Sequence, residues 1–477
     1  MANAVKTASK IKKFGCEKIM FGKIKKLFFV GIGGAGMSGI AEILCNLGYQ
    51  VRGSDNTPSE MTEYLQTLGI GIVPEHRAAN VEDADVVVIS SAVGENNPEV
   101  VEARRLGIPV IKRAEMLGEL MRLKFSVGVA GTHGKTTTTS MVGRILQHAQ
   151  LNPTLIVGGV VAELGTGASL GSGDYLVAEV DEYDRSIFAM FPSMAVVLNI
   201  EPDHLDCYDG MADLTGAFLS YINRVPFYGS AIVSADDENI SGLKSKITRP
   251  YKTFGFAAEA DYRAVEIKLE QKRSLFSVYH QGDLLGDIIL GVPGRHNVAN
   301  ALAAIAAAHE LEVPFLHIAD ALREFRGVGR RFEIIGEANN ILIIDDYAHH
   351  PTELKAALRT ARDCYPERRL VAVFQPHLFS RTWQFYREFA EVLATADKCL
   401  LTDIYPAREK PVAGVTSEMI KNEADRQGKG DFTYVGIKDN APEAITKIAR
   451  PGDIVMLIGA GSITHIKFTV LELLKKS

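Results

Sequence analysis

At 477 residues, 47% hydrophobic and 23% charged, the chain is long enough for about three well-cored domains. A net charge of −6, from 52 basic and 58 acidic residues, leaves no nucleic-acid footprint, and no apolar run reaches the ~20 residues that span a bilayer. Five cysteines without a C-x-x-C pair point to a reducing, cytoplasmic setting with no structural zinc.

Residues 1–23 are a lysine-rich extension without the apolar stretch of a secretory signal. Organised sequence begins just after Met20, which could itself be the start. Residues 25–30 read as a strand feeding Gly31-Ile32-Gly33-Gly34-Ala35-Gly36, then a helical pattern to Leu47 and a second strand ending at Ser54-Asp55. Glycines there let backbone approach a pyrophosphate, and Asp55 stands where a ribose-binding carboxylate belongs. The pattern suits NAD, FAD or a nucleotide-sugar diphosphate, or simply a tight strand–helix turn. Gly34 and Met37-Ser38-Gly39 are unusual for a simple NAD site. Further strands, at 83–91 ending in Ser90-Ser91 and at 108–111, complete a parallel-sheet segment over 24–118.

The second segment, 119–328, opens with a buried strand at 125–130 and the loop Gly131-Thr132-His133-Gly134-Lys135-Thr136-Thr137 before a helix. Free N–H groups at that helix start favour phosphate, Lys135 can pair with it, and the Thr136 hydroxyl can ligate Mg²⁺. Val129 stands where the common phosphate loop has its first glycine. Glu179 and Asp181 follow the apolar strand 175–178, and alternation puts both on one side near that loop, where hard carboxylate oxygens suit Mg²⁺. After a strand at 194–200 comes Glu201-Pro202-Asp203-His204-Leu205-Asp206, whose histidine is either a metal ligand or a hydrogen-bonded loop residue. The alternating pattern of 264–281 predicts an added antiparallel portion. Gly294-Arg295-His296-Asn297 leads into an Ala-rich helix at 298–310, where Asn297 is either an N-cap or a ligand group. A helical stretch follows at 318–325, and Gly327-Val328-Gly329 forms a plausible hinge.

Beside that hinge, Arg330-Arg331 could give a cation to a transferring phosphoryl group or be ion-paired. The third segment, 329–477, has strands at 341–344, 370–374, 398–402 and 454–458 alternating with helices. Its loops Asp345-Asp346-Tyr347-Ala348-His349-His350-Pro351 and Gln375-Pro376-His377-Leu378-Phe379-Ser380-Arg381 fall at strand C-termini, the expected ligand edge. The expected fold is therefore α/β in three domains. A Rossmann-like N-terminal domain precedes a central phosphate-loop domain with a mostly parallel sheet and a Rossmann-like C-terminal domain.

With these blocks in this order, the chain from about Leu27 onward resembles the Mur ligase family, and within it the alanine-adding branch. The unorthodox phosphate loop is itself a trait of that family. The resemblance implies ATP-dependent joining of L-alanine to the lactyl carboxylate of UDP-N-acetylmuramate through an acyl phosphate, with Mg²⁺ or Mn²⁺ as the metal. It implies that Gly33, Gly34, Gly36, Met37, Ser38, Asp55, Ser90 and Ser91 hold the UDP-sugar. Gly131, Thr132, His133, Gly134, Lys135, Thr136 and Thr137 would hold ATP with His296, Asn297, Asn300, Arg331 and Asp346. Thr136, Glu179 and His204 would be the metal groups, and His349, His377 and Arg381 would position the muramyl carboxylate and alanine. Lys135, Glu179, His204, Arg331 and His349 are thus the catalytic candidates. Several relatives that add later amino acids carry a carbamylated lysine after the metal-site histidine, but no lysine lies between His204 and Lys244, so no carbamate is expected. Leu378 stands where some alanine-adding members have arginine. The chain is expected to act as a monomer or weak homodimer, with no nucleic-acid or membrane partner. A ligase that attaches a whole peptide to the same UDP-sugar is the nearest rival reading.

Overall fold

The computed structural model describes residues 21–158, 167–203, 207–407 and 409–476. The chain divides into two compact units between Met116 and Leu117. The first unit is a five-stranded parallel sheet in the order Gly71–Val73, Gln50–Ser54, Lys26–Val30, Val86–Ile89, Val110–Lys112. Its central strands, Leu-Phe-Phe-Val and Val-Val-Val-Ile, are apolar throughout because helices cover both faces. Phe28, Val30, Val87 and Ile89 pack on Val81, Val100 and Ala103 to form one side of its core.

The second unit carries two sheets. One has ten strands in the order Asp283–Leu290, Arg273–His280, Tyr262–Glu270, Tyr251–Gly255, Ser230–Ser234, Met194–Val197, Phe125–Ala130, Tyr175–Glu179, Thr154–Ile156, Ala168–Ser169. The expected antiparallel portion is the three-stranded meander of Tyr262–Glu270, Arg273–His280 and Asp283–Leu290. Helix Lys135–His148 packs on helix Arg295–Glu310, whose Ala301, Ala303, Ala304 and Ala306–Ala308 are all fully buried. Small side chains let that helix lie close to both its helical neighbour and the sheet. The other sheet runs Glu333–Ala338, Ile341–Asp346, Asp453–Ile458, Arg369–Phe374, Lys398–Thr402, Phe432–Gly436, parallel except for its first strand.

Asn297 is not the N-cap of the Ala-rich helix. Gly294 holds that position at φ 103°, the helix starts at Arg295, and the Asn297 amide donates to Pro293 O at 2.7 Å from inside the first turn. An achiral residue can take the positive φ that the turn needs, which propensity for side-chain capping does not register.

Candidate active site

In the first unit the glycine loop is built around Asp55. Gly33 N–H donates to Asp55 Oδ2 at 2.8 Å, and a Cβ on Gly33 would stand 2.9 Å from that oxygen. Gly31 takes φ +77°, and its Cα faces the Ser90 hydroxyl. Gly34 caps helix Ala35–Asn46 without a side-chain bond, leaving first-turn donors for an anion. Met37 and Ser38 are buried, and their N–H groups donate to Gly34 O at 2.9 Å, so both support the loop's shape. Ser91 is exposed, Gly36 packs against Arg113, and both lie within this unit.

In the second unit the phosphate loop leaves strand Phe125–Ala130 and turns at Gly131 (φ +142°) and Gly134 (φ +83°). Gly134 caps helix Lys135–His148 with no side-chain acceptor. Lys135 curls back over the loop, donating to Gly131 O at 2.7 Å and pairing with Glu182 at 2.9 Å. Burial opposes its charge, yet Glu182 and then Asp181 outweigh that and hold its ammonium above the usual lysine range. Glu182 is itself 1% exposed. Sequence reading singled out Glu179 and Asp181 and passed over this carboxylate, which only the turn after the strand brings beneath Lys135. The Thr136 hydroxyl donates to Glu179 Oε2 at 2.9 Å, and Gly158 N–H donates to the same oxygen at 2.7 Å. Two hard oxygens at a phosphate loop are the donor set Mg²⁺ takes. His204, the third expected metal group, lies outside the described residues.

A cleft of about 290 Å³ runs from this loop to the last sheet. It is lined by Gly134, Thr136, Thr137, His296, Asn297, Asn300, Arg331 and Asp346, all foreseen, and also by Ser234, Asp236, Phe254, Phe256, Thr352 and Glu353. The two phenylalanines offer an apolar wall for a flat ring. Asp346 accepts from Phe332 N–H and Ala348 N–H, both at 2.8 Å, and burial pushes its carboxyl up to about 6 against the pull of Arg331.

Residues of the last sheet's strand ends face the loop directly. His133 bridges two carboxylates, Glu201 at 3.6 Å from Nε2 and Glu353 at 3.4 Å from Nδ1. Burial disfavours the imidazolium, but those two side chains overcome it and raise His133 to about 9. Glu353 is also 3.3 Å from Arg331 and accepts from the His349 N–H at 3.0 Å. Although buried, it is held well below the usual carboxylate range by the Nδ1–H of His349 and the charges of His133 and Arg331. His349 Nδ1 lies 3.1 Å from Tyr347 O and 3.2 Å from Glu353 Oε2. Both are acceptors, so Nδ1 carries the proton and Nε2 keeps its lone pair. Burial lowers this imidazole to about 3, keeping it neutral. Arg381 pairs with Asp203 at 3.2 Å and approaches His377 Nδ1 at 3.3 Å, so all three foreseen C-terminal groups share one wall. Leu378, next to His377, sits at φ 71°, a strained value for leucine.

Three family models cover this geometry. Residues 26–125 match "Mur ligase family, catalytic domain", 129–308 match "Mur ligase middle domain", and 330–461 match "Mur ligase, glutamate ligase domain". The chain belongs to the Mur ligase family, a class of ATP-dependent amide-bond ligases. Over 456 residues it is 50% identical to the UDP-N-acetylmuramate–L-alanine ligase of Geobacter sp. (strain M21), covering 96% of this chain and 99% of that one. The enzyme of the same name from Geobacter sulfurreducens is 50% identical over 445 residues, 93% and 96% of the two chains. Among solved structures, UDP-N-acetylmuramate-alanine ligase of Thermotoga maritima superposes with a TM-score of 0.78 at 32% identity, over 94% of this chain and 99% of that one. A murein peptide ligase from Psychrobacter arcticus gives 0.68 at 26% identity, over 95% and 99%. No described helix is long and apolar enough to cross a membrane.

Proposed function

We propose that this chain joins L-alanine to the lactyl carboxylate of UDP-N-acetylmuramate at the expense of ATP. The observation that carries the reading is that the strand ends of the last sheet face the phosphate loop, with Glu353 paired to His133 and Arg381 paired to Asp203. A carboxylate does not condense with an amine in water unless it is activated. The γ-phosphoryl group of ATP passes to a lactyl carboxylate oxygen, giving an acyl phosphate and ADP. The alanine nitrogen then adds to the acyl carbon, loses a proton, and the tetrahedral intermediate expels phosphate as the amide forms.

Lys135 and Arg331 offset charge on the transferring group. Thr136, Glu179 and His204 would hold Mg²⁺, which supplies charge neutralisation at the phosphate oxygens. Arg381 offers a cation to a substrate carboxylate, and the neutral Nε2 of His349 accepts a hydrogen bond that orients the alanine amine. Asn297, Asn300 and His296 line the nucleoside end of the cleft beside Phe254 and Phe256. The glycine loop of the first unit takes the UDP-sugar.

Phosphate release with ATP, Mg²⁺ and UDP-N-acetylmuramate, with and without L-alanine, tests this. Release that needs both substrates, with UDP-muramyl-alanine identified by mass, is the expected result. Background release with alanine and rapid release with a tripeptide would instead assign the peptide-attaching activity.

A further inference from the structure

Beside the phosphate loop, the structure brings His133, Glu201 and His350 together so that one donor atom from each lies within 4.8 Å of the others. None of the three belongs to the Thr136–Glu179 pair. We propose that they form a separate binding site for a zinc-class divalent cation that ties the phosphate loop to the last domain.

The donor set is two imidazoles and a carboxylate, the combination zinc takes when it keeps a fourth position open. Tetrahedral ligation at 2.0–2.2 Å spaces its donors by about 3.4 Å. His133 Nε2 is 3.6 Å from Glu201 Oε2, and His350 Nδ1 is 4.0 Å from the same oxygen. The two imidazoles are within 4.8 Å of each other, so closing on an ion draws them together by up to about 1.4 Å, within the reach of side-chain rotation.

The surroundings are built as metal sites are built. Glu353 Oε1 lies 3.4 Å from His133 Nδ1, which fixes the tautomer and turns Nε2 inward, the carboxylate–histidine support that ligating imidazoles use. The Thr352 hydroxyl donates to Glu201 Oε2 and sets that carboxylate. His133 Nε2 and His350 Nε2 are buried, and among the described residues neither has a hydrogen-bond partner. His350 is 3% exposed, and its Nδ1 receives only a 3.4 Å bond from Thr352 N–H. The unpartnered His133 Nε2 is the buried donor that coordination would satisfy, while ligation through His350 Nδ1 replaces its long bond from Thr352 N–H. Burial and then the neighbouring His133 charge lower His350 to about 4, so it is already in its ligating form. His133 gives up its proton on binding.

His133 belongs to the phosphate loop, Glu201 follows strand Met194–Val197, and His350 starts helix Pro351–Cys364. An ion shared by all three clamps the cleft and slows its reopening.

Cobalt(II) absorption on the full-length protein, with Mg²⁺ in excess to fill the Thr136–Glu179 site, reads the geometry directly. We expect the ligand-field bands of four-coordinate cobalt, displaced by one equivalent of Zn²⁺. His350→Gln and Glu201→Gln should each abolish them, Glu353→Gln should weaken binding 10–100-fold, and Glu179→Gln should leave them in place. If His350→Gln melts early by circular dichroism, Glu201→Gln, at a partly exposed position, carries the same test. Absence of the bands from the wild type, their survival in Glu201→Gln, or their loss in Glu179→Gln would overturn the assignment.

Discussion

Lys135 holds the phosphate loop together, and the proposed reaction gives the same side chain a chemical role. Its ammonium satisfies two loop carbonyls and neutralises Glu182, which is almost wholly buried. Lys135→Ala should abolish ADP formation while leaving UDP-sugar binding to the first unit intact, as isothermal titration would read. It also strands the Glu182 charge, so denaturant unfolding should show a loss of about 3–5 kcal/mol. Adding Glu182→Gln should restore most of that stability without restoring turnover, which separates the two roles. Arg381 is a second such case. It and Asp203 are 7% and 11% exposed, so Arg381→Ala should cost about 3 kcal/mol and raise the KM for alanine far more than that for ATP.

At the scale of the element, the turn into helix Lys135–His148 depends on Gly134. A Cβ there would stand 2.4 Å from Asn300 Oδ1, and φ +83° adds about 1–3 kcal/mol of backbone strain for any other residue. Gly134→Ala should displace Asn300 and raise the KM for ATP at least roughly tenfold (about 1.4 kcal/mol). An unchanged KM would mean that the turn and Asn300 adjust without loss. The strand–loop–helix was legible because apolar runs and glycine punctuation are local signals. So were the later strands 341–344, 370–374 and 454–458, each nearly continuous in apolar residues, and 398–402 with its Cys-Leu-Leu centre. What remained hidden was cross-chain pairing. Glu353 reads as an ordinary capping-box glutamate three residues into a helix, and it does fill that role for His350. Its contacts with His133 and Arg331 arise only when two sheets far apart in sequence face each other. Phe254 and Phe256 escaped notice for the same reason, since a short strand end carries no sign of what it will line.

Across the second unit, the cleft is held by charges whose protonation sets a pH window. Glu353 is depressed in the fold, so its contribution is present above its ordinary value of 4.5 and is lost as pH falls through the lower folded value. Asp346 is raised from 3.8 to about 6, so its contribution is complete below 3.8 and is lost as pH rises through 6. His133 is raised from 6.5 to about 9: its contribution is complete below 6.5 and disappears as pH rises through 9. The groups facing it are Glu201, Glu353 and the neutral His350, so losing its proton leaves two carboxylates facing each other without a cation between them. Denaturant unfolding should therefore show stability falling by on the order of 2 kcal/mol between pH 6.5 and about 9. His133→Gln keeps a donor without the charge, so it should start less stable at pH 6.5 and lose little more on the way up. Parallel alkaline slopes in the two proteins would place the titrating group elsewhere in the unit.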